Sequence, residues 1–146
     1  MKKGSIVRVI GAGIVFAAMS QIIHSLGAIL TMDFYTDPNY FQVWSKIMMP
    51  GKGPPPTYFF YYSVVFGIIT GILLALVYVI LHEGVPGKGF KKGIAYGLLI
   101  FFVSGITGSL SMYLLINLPS VLIAYWAMEN LFVLLIGGVA FQRLLG

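Results

Sequence analysis

The chain has 146 residues, 59% of them hydrophobic and only 9% charged, with a net charge of +5 and a mean hydropathy of +0.96. A soluble domain carries about 25% charged residues, and a disordered chain needs low hydrophobicity with high charge, so the composition excludes both. The chain has no cysteine, which removes disulfides, thiol catalysis, Cys-ligated zinc and iron–sulfur clusters.

A helix needs about 20 mostly apolar residues to cross a hydrocarbon core. Four stretches reach that length, at about residues 6–32, 58–81, 93–116 and 120–145. They stay apolar far beyond the roughly 10-residue alternation of a barrel strand. The predicted fold class is therefore an all-α membrane protein. It is a single integral domain over residues 1–146, with four transmembrane helices in an up-down bundle.

The first span begins with the basic run Met1-Lys2-Lys3 and offers small residues at Ser25-Leu26-Gly27, as a cleaved signal peptide would. Its apolar run is longer than the core of a signal peptide, and Gln21 and His24 interrupt it, so it is expected to remain as a span. The loop that follows is the only long one. Asp33 and Asp37 with Pro38 read as turn chemistry rather than a cation site. Residues 39–49 read as a short amphipathic helix, with Asn39, Gln42, Ser45 and Lys46 on one face and Phe41, Val43, Trp44, Ile47 and Met48 mostly on the other. Its aromatic content favours lying flat in the headgroups over capping the bundle.

The second span opens on the aromatic run Tyr58–Tyr62, an interfacial girdle. Pro-Gly-Lys-Gly occurs at residues 50–53 and again at residues 86–89. Neither copy completes a Walker motif, and both read as turns that place a lysine near lipid phosphates. Spans one and three match at an offset of 80, with Gly13-Ile14-Val15-Phe16 against Gly93-Ile94-Ala95-Tyr96, which hints at two like-oriented hairpins.

Seven of the nine basic residues (Lys2, Lys3, Arg8, Lys88, Lys91, Lys92 and Arg143) fall on one side of this arrangement. The positive-inside rule then places both termini in the cytoplasm, in the cytoplasmic (inner) membrane of the cell. Juxtamembrane lysines at anionic headgroups account for the net charge without a nucleic-acid partner. Small residues at helical spacing mark packing faces: Gly13, Ala17, Ser20 and Ala28 in span one, Gly67, Gly71 and Ala75 in span two, and Gly93, Gly97, Ser104, Gly108 and Ser111 in span three.

The informative residues are polar and lie inside the spans. Glu129 and Asn130 sit in span four, Gln21 and His24 in span one, and Ser104 and Thr107 in span three. At the helical rise, His24, Thr107 and Glu129 lie about 12–14 Å below the outer boundary, and Gln21 and Ser104 roughly one turn deeper. A charged side chain at a helix centre costs about 2.5–3.5 kcal/mol on the insertion scale, so Glu129 should face inward with a partner. His24 is the histidine at its depth and continues the small-residue stripe of span one. A neutral carboxyl bonded to a neutral imidazole competes with an ion pair, and one internal proton transfer interconverts them. Six residues thus form the candidate ligand or proton site: His24, Glu129, Gln21, Thr107, Ser104 and Asn130. No metal set is expected.

Three function classes follow. The favoured one is a proton, ion or small-solute transport or permeation unit, as a homo-oligomer because four helices enclose little room. The second is a non-catalytic accessory or scaffold subunit of a larger membrane complex, in which the buried polar groups act only as interhelical glue. The third is a redox subunit with His24 at a haem or quinone. No cofactor is required by any motif. Without a GxSxG elbow or an HExxH helix, the reading leans away from an enzyme.

Overall fold

The computed structural model describes residues 3–51 and 55–146, and the side chains from Ile6 onward. Residues 52–54, which include Lys52 of the first Pro-Gly-Lys-Gly, and residues 1–2 lie outside that description. The described chain is helical and contains no strand. Its elements are α1 (Lys3–Leu30), α2 (Met32–Thr36), α3 (Thr57–Leu81), α4 (Phe90–Ile100), α5 (Ile106–Leu115) and α6 (Ser120–Leu145). A five-residue π-helical segment, Phe101–Gly105, joins α4 to α5. Four helices, counting α4, the π segment and α5 as one, are long and apolar enough to cross a membrane.

Close backbone approach organises these helices. Gly13 of α1 lies against Gly71 and Ile72 of α3, so a Cβ on Gly71 would overlap the Gly13 carbonyl. Ala17 meets Gly67 one turn further along, and the Ser63 hydroxyl donates to the Gln21 side-chain carbonyl at 2.9 Å beyond that. Gly93 and Gly97 of α4 lie in the same way against Gly138 and Leu134 of α6. Within each pair the contacts run in opposite chain directions, as two hairpins require. Gly13 and Gly93, which head the two matching tetrads, hold equivalent crossing positions. A third seam joins the hairpins: Gly137 of α6 leaves room for the ring of Phe16 on α1, and that ring stacks on Phe141 at 5.6 Å.

The packed core occupies the end of the molecule that holds the α3–α4 turn. Val9, Ala12 and Phe16, Ala75 and Tyr78, Val85, Tyr96, and Val133, Leu134 and Phe141 form one buried cluster. Its two phenols are satisfied internally. Tyr96 donates to the Leu74 carbonyl at 2.6 Å, and Tyr78 donates to the Gln142 side chain. The turn that closes this end bends through Gly87 and Gly89, whose φ angles of +96° and +51° suit glycine.

Residues 39–49 do not form the expected amphipathic helix. A single 3₁₀ turn, Pro38–Tyr40, is followed by further turns. Local side-chain bonds explain the difference. The Asp37 carboxylate accepts from the Asn39 N–H at 2.9 Å, and the Ser45 hydroxyl accepts from the Met48 N–H at 3.2 Å. Each bond offers the backbone an alternative to helix. The loop also docks on the protein. Trp44 stacks on Tyr35 at 4.9 Å, and both approach Trp126 of α6.

Candidate functional site

The centre of the candidate site forms between α1 and α6. Nδ1 of His24 lies 2.9 Å from Oε2 of Glu129, across 105 positions of sequence. The carboxylate is the more deeply placed partner: its side chain is 12% exposed, against 50% for the imidazole. His24 therefore stands at the rim of the seam with half its surface outward, rather than enclosed by neighbouring helices. Its other ring nitrogen, Nε2, makes no hydrogen bond among the described residues. The two groups differ from an ion pair to a neutral pair by the position of one hydrogen, which is the chemistry this arrangement can perform.

Gly27 makes the approach possible. A Cβ there would overlap Oε1 of Glu129, so the carboxylate occupies the space a side chain would fill. Oε1 is buried and has no hydrogen-bond partner among the described residues. One turn on, just past the end of α1, Thr31 is 1% exposed and returns its hydroxyl to the Gly27 carbonyl at 2.8 Å. This bond satisfies the hydroxyl without drawing it to the carboxylate.

An aromatic roof covers the pair on the side of the long loop. Trp126, one helical turn from Glu129, donates its indole N–H to the Tyr35 hydroxyl at 3.0 Å. Burial pushes the Tyr35 phenol above its ordinary value. Hydrogen bonding to Trp126 and Thr31 pulls it back, and the Glu129 carboxylate adds to the rise. Trp44 completes the cluster, and its own indole N–H is buried without a partner among the described residues. Tyr35, Trp44, Trp126 and Gly27 carry no signal in sequence beyond position. Trp126 is i−3 of a buried acid, and Gly27 is i+3 of His24, so both could have been placed on the site's face by helical spacing.

A groove of about 600 Å³ opens beside the pair. Ile23, Leu26 and Leu30 form its α1 wall, Val121, Met128 and Phe132 its α6 wall, and Glu129 and Gly27 lie at its base.

The other predicted residues go elsewhere. Gln21 belongs to the α1–α3 seam, bonded to Ser63 and, at 3.4 Å, to Ser25. Asn130 faces Gly105 of the π segment. Ser104 and Thr107 are exposed, and each returns its hydroxyl to its own helix, at Ile100 and Val103. The π segment is the reason. In a straight helix, Ser104, Thr107 and Ser111 would continue the face that Gly93, Tyr96 and Gly97 bury against α6. The Ile106 N–H bonds Phe101 instead, adding one residue to the turn. One extra residue rotates all that follows by about 100°. Gly105 and Ser109 then take the inward positions, and Ser104, Thr107 and Ser111 turn outward. The polar groups of α1 and α6 therefore meet, while those of the α4–α5 helix do not join them.

Among the described residues, no three His, Asp or Glu side chains cluster closely enough to hold a metal ion. His82 lies at the far end of α3 and bonds the Val79 carbonyl at 2.9 Å. No family model, no curated protein and no solved structure matches this chain.

Proposed function

We propose that this chain crosses a lipid bilayer four times as an up-down bundle and acts as a proton-linked transport unit, with Glu129 and His24 as the proton-exchanging pair. The observation that carries the reading is the 2.9 Å contact between a carboxylate and an imidazole on two different apolar helices. Ionisable residues at such positions are rare and costly, and they mark ion and proton pathways. In this reading the basic residues of the α3–α4 turn and of the α6 end face the cytoplasm, in the inner membrane. The pair then lies in the outer half. The aromatic layer of Phe16, Tyr78, Tyr96 and Phe141 separates it from the inner half. Transfer across that layer requires the helices to move, or a second copy to complete the path.

Reconstituted vesicles with an entrapped pH dye test this. Wild-type protein should carry a proton-coupled flux under an imposed gradient. Glu129→Gln and His24→Ala should each abolish it. Flux unchanged in both variants refutes the proposal.

One observation favours a second reading, an accessory subunit of a membrane complex. The outer half of the α4–α5 helix presents Ser104, Thr107 and Ser111 outward beside Gly108, which has open space around it. Helices associate in lipid through such small and hydroxyl-bearing faces. Purification in native lipid with a fixed stoichiometric partner on that face would support it.

A further inference from the structure

We propose that the groove between α1 and α6 binds lipophilic cations, molecules with an apolar body and a single positive charge that comes to rest at the Glu129 carboxylate. The inference rests on the reading of Glu129 and His24 as a proton-exchanging pair, and it names the class of solute that the pair would serve.

Three observations converge on this class. The first is size: about 600 Å³ falls within the range of small-molecule sites, about 300–1,000 Å³. The second is wall chemistry. Apart from the Tyr125 phenol, the walls are apolar: Ile23, Leu26, Leu30, Val121, Met128 and Phe132 cannot solvate a polar body but will accept an apolar one. The third is the base. Among the residues that line the groove, Glu129 alone can carry charge near neutral pH. Its Oε1 is buried without a partner, while Oε2 is held by His24. An apolar site with one incompletely paired carboxylate discriminates by charge. An anionic head would meet like charge, and a neutral head would gain one hydrogen bond at most. A cation can take the place of the His24 proton as the counter-charge of a carboxylate that no Lys or Arg among the described residues reaches.

The charge balance couples binding to proton movement. With the groove empty, the pair holds one exchangeable proton and no net charge, whichever of the two groups carries that proton. When a cation seats against the Glu129 side chain, the site carries one positive charge too many. The pair gives its proton to water through the half-exposed face of His24, and neutrality returns. One cation enters and one proton leaves, with no bond made or broken other than N–H. The titratable groups around Glu129 among the described residues are His24 from α1, the Tyr35 phenol from α2 and, in the groove, the Tyr125 phenol of α6. A phenol is ordinarily neutral near pH 7, so the His24–Glu129 pair is the group that responds.

Three probes of one shape but different charge test the assignment: 2-(1-naphthyl)ethylammonium, 2-(1-naphthyl)ethanol and 1-naphthylacetate. Full-length protein in lipid nanodiscs is titrated by calorimetry in two buffers of different ionisation enthalpy, with empty nanodiscs as the partition blank. The ammonium should bind about tenfold or more tightly than the alcohol, releasing close to one proton per cation, and the acetate should not bind. Glu129→Gln should reduce the ammonium to the affinity of the alcohol. Leu26→Trp, which fills the groove away from the carboxylate, should abolish binding of both and shows location independently of whether Glu129→Gln folds. Equal binding of ammonium and alcohol by the wild type overturns the inference, as does an ammonium affinity indifferent to Leu26→Trp. If vesicle proton flux depends on Glu129 while the ammonium fails to bind, the cation assignment falls and the proton pair stands. If both fail, the pair has no transport role.

Discussion

At the scale of residues, the site depends on one glycine as much as on the acid and the imidazole. Glu129 reaches His24 because α1 presents no side chain at position 27, and its Oε1 lies where a Cβ would stand. Gly27→Ala therefore displaces the carboxylate while leaving every polar group of the site in the chain. The helix itself should tolerate the change, since alanine is favoured over glycine in a helix interior by about 1 kcal/mol. The expected result is a protein of unchanged or slightly raised thermal midpoint whose proton flux falls toward that of Glu129→Gln. A Gly27→Ala protein with wild-type flux would separate the activity from the His24–Glu129 contact. The depth arithmetic placed these two residues at one level, and the structure joins them. What spacing alone could not supply was orientation. His24 lies on the rim because the α1 face toward α6 is centred on Gly27 and Thr31, one step round the helix from it.

At the scale of elements, the four long helices were legible because their apolar runs are long enough to span, and two of them, α3 and α6, start directly after Pro56 and Pro119. Thr57–Leu81 and Ser120–Leu145 match the predicted spans to within a residue. Two features were not legible, for different reasons. The loop over residues 39–49 has an amphipathic pattern, but Asp37 and Ser45 divert its backbone into turns, and Tyr35 and Trp126 offer Trp44 a stacking surface. The π segment leaves no mark on composition, yet it decides which side chains of the α4–α5 helix face α6. Its effect can be reversed. Deleting Val103, an exposed residue of the π segment, should let the turn close as regular α-helix. Gly105 would stay against Asn130, and everything after it would keep its observed orientation. Such a deletion should shift the thermal midpoint little. Deleting one residue from the uninterrupted helix α6, for instance Ile136, should rotate half of that helix by about 100° and prevent folding. A Val103 deletion as damaging as the Ile136 deletion would mean that the π turn is required for more than register.

At the scale of the whole molecule, the fold is two glycine-crossed hairpins joined along a single long seam, and the candidate site lies on that seam rather than within either hairpin. The seam has two parts. Toward the α3–α4 turn, Gly137 receives the Phe16 ring, which stacks on Phe141 in the core. Toward the long loop, Gly27 receives the Glu129 carboxylate and Trp126 receives the loop. Because these contacts are in series along the same two helices, disturbing one should loosen the other. Gly137→Leu tests the coupling from a position far from His24. A side chain there overlaps Phe16, and overpacking of this kind costs about 1–3 kcal/mol. The Gly13–Gly71 and Gly93–Gly138 crossings are untouched, so each hairpin should persist while the seam opens. Both tryptophans of the chain sit in the roof. Opening the seam carries Trp126 away from Tyr35 and Trp44, so tryptophan emission should shift to the red as those indoles meet a wetter surrounding, and proton flux should fall with it. Gly11→Leu provides the control, because Gly11 lies on α1, the helix that carries Phe16, with open space at its Cβ. If Gly137→Leu lowers the thermal midpoint but leaves the emission and the flux of wild type, the roof and the carboxylate are held by the outer contacts alone, and the two parts of the seam act independently.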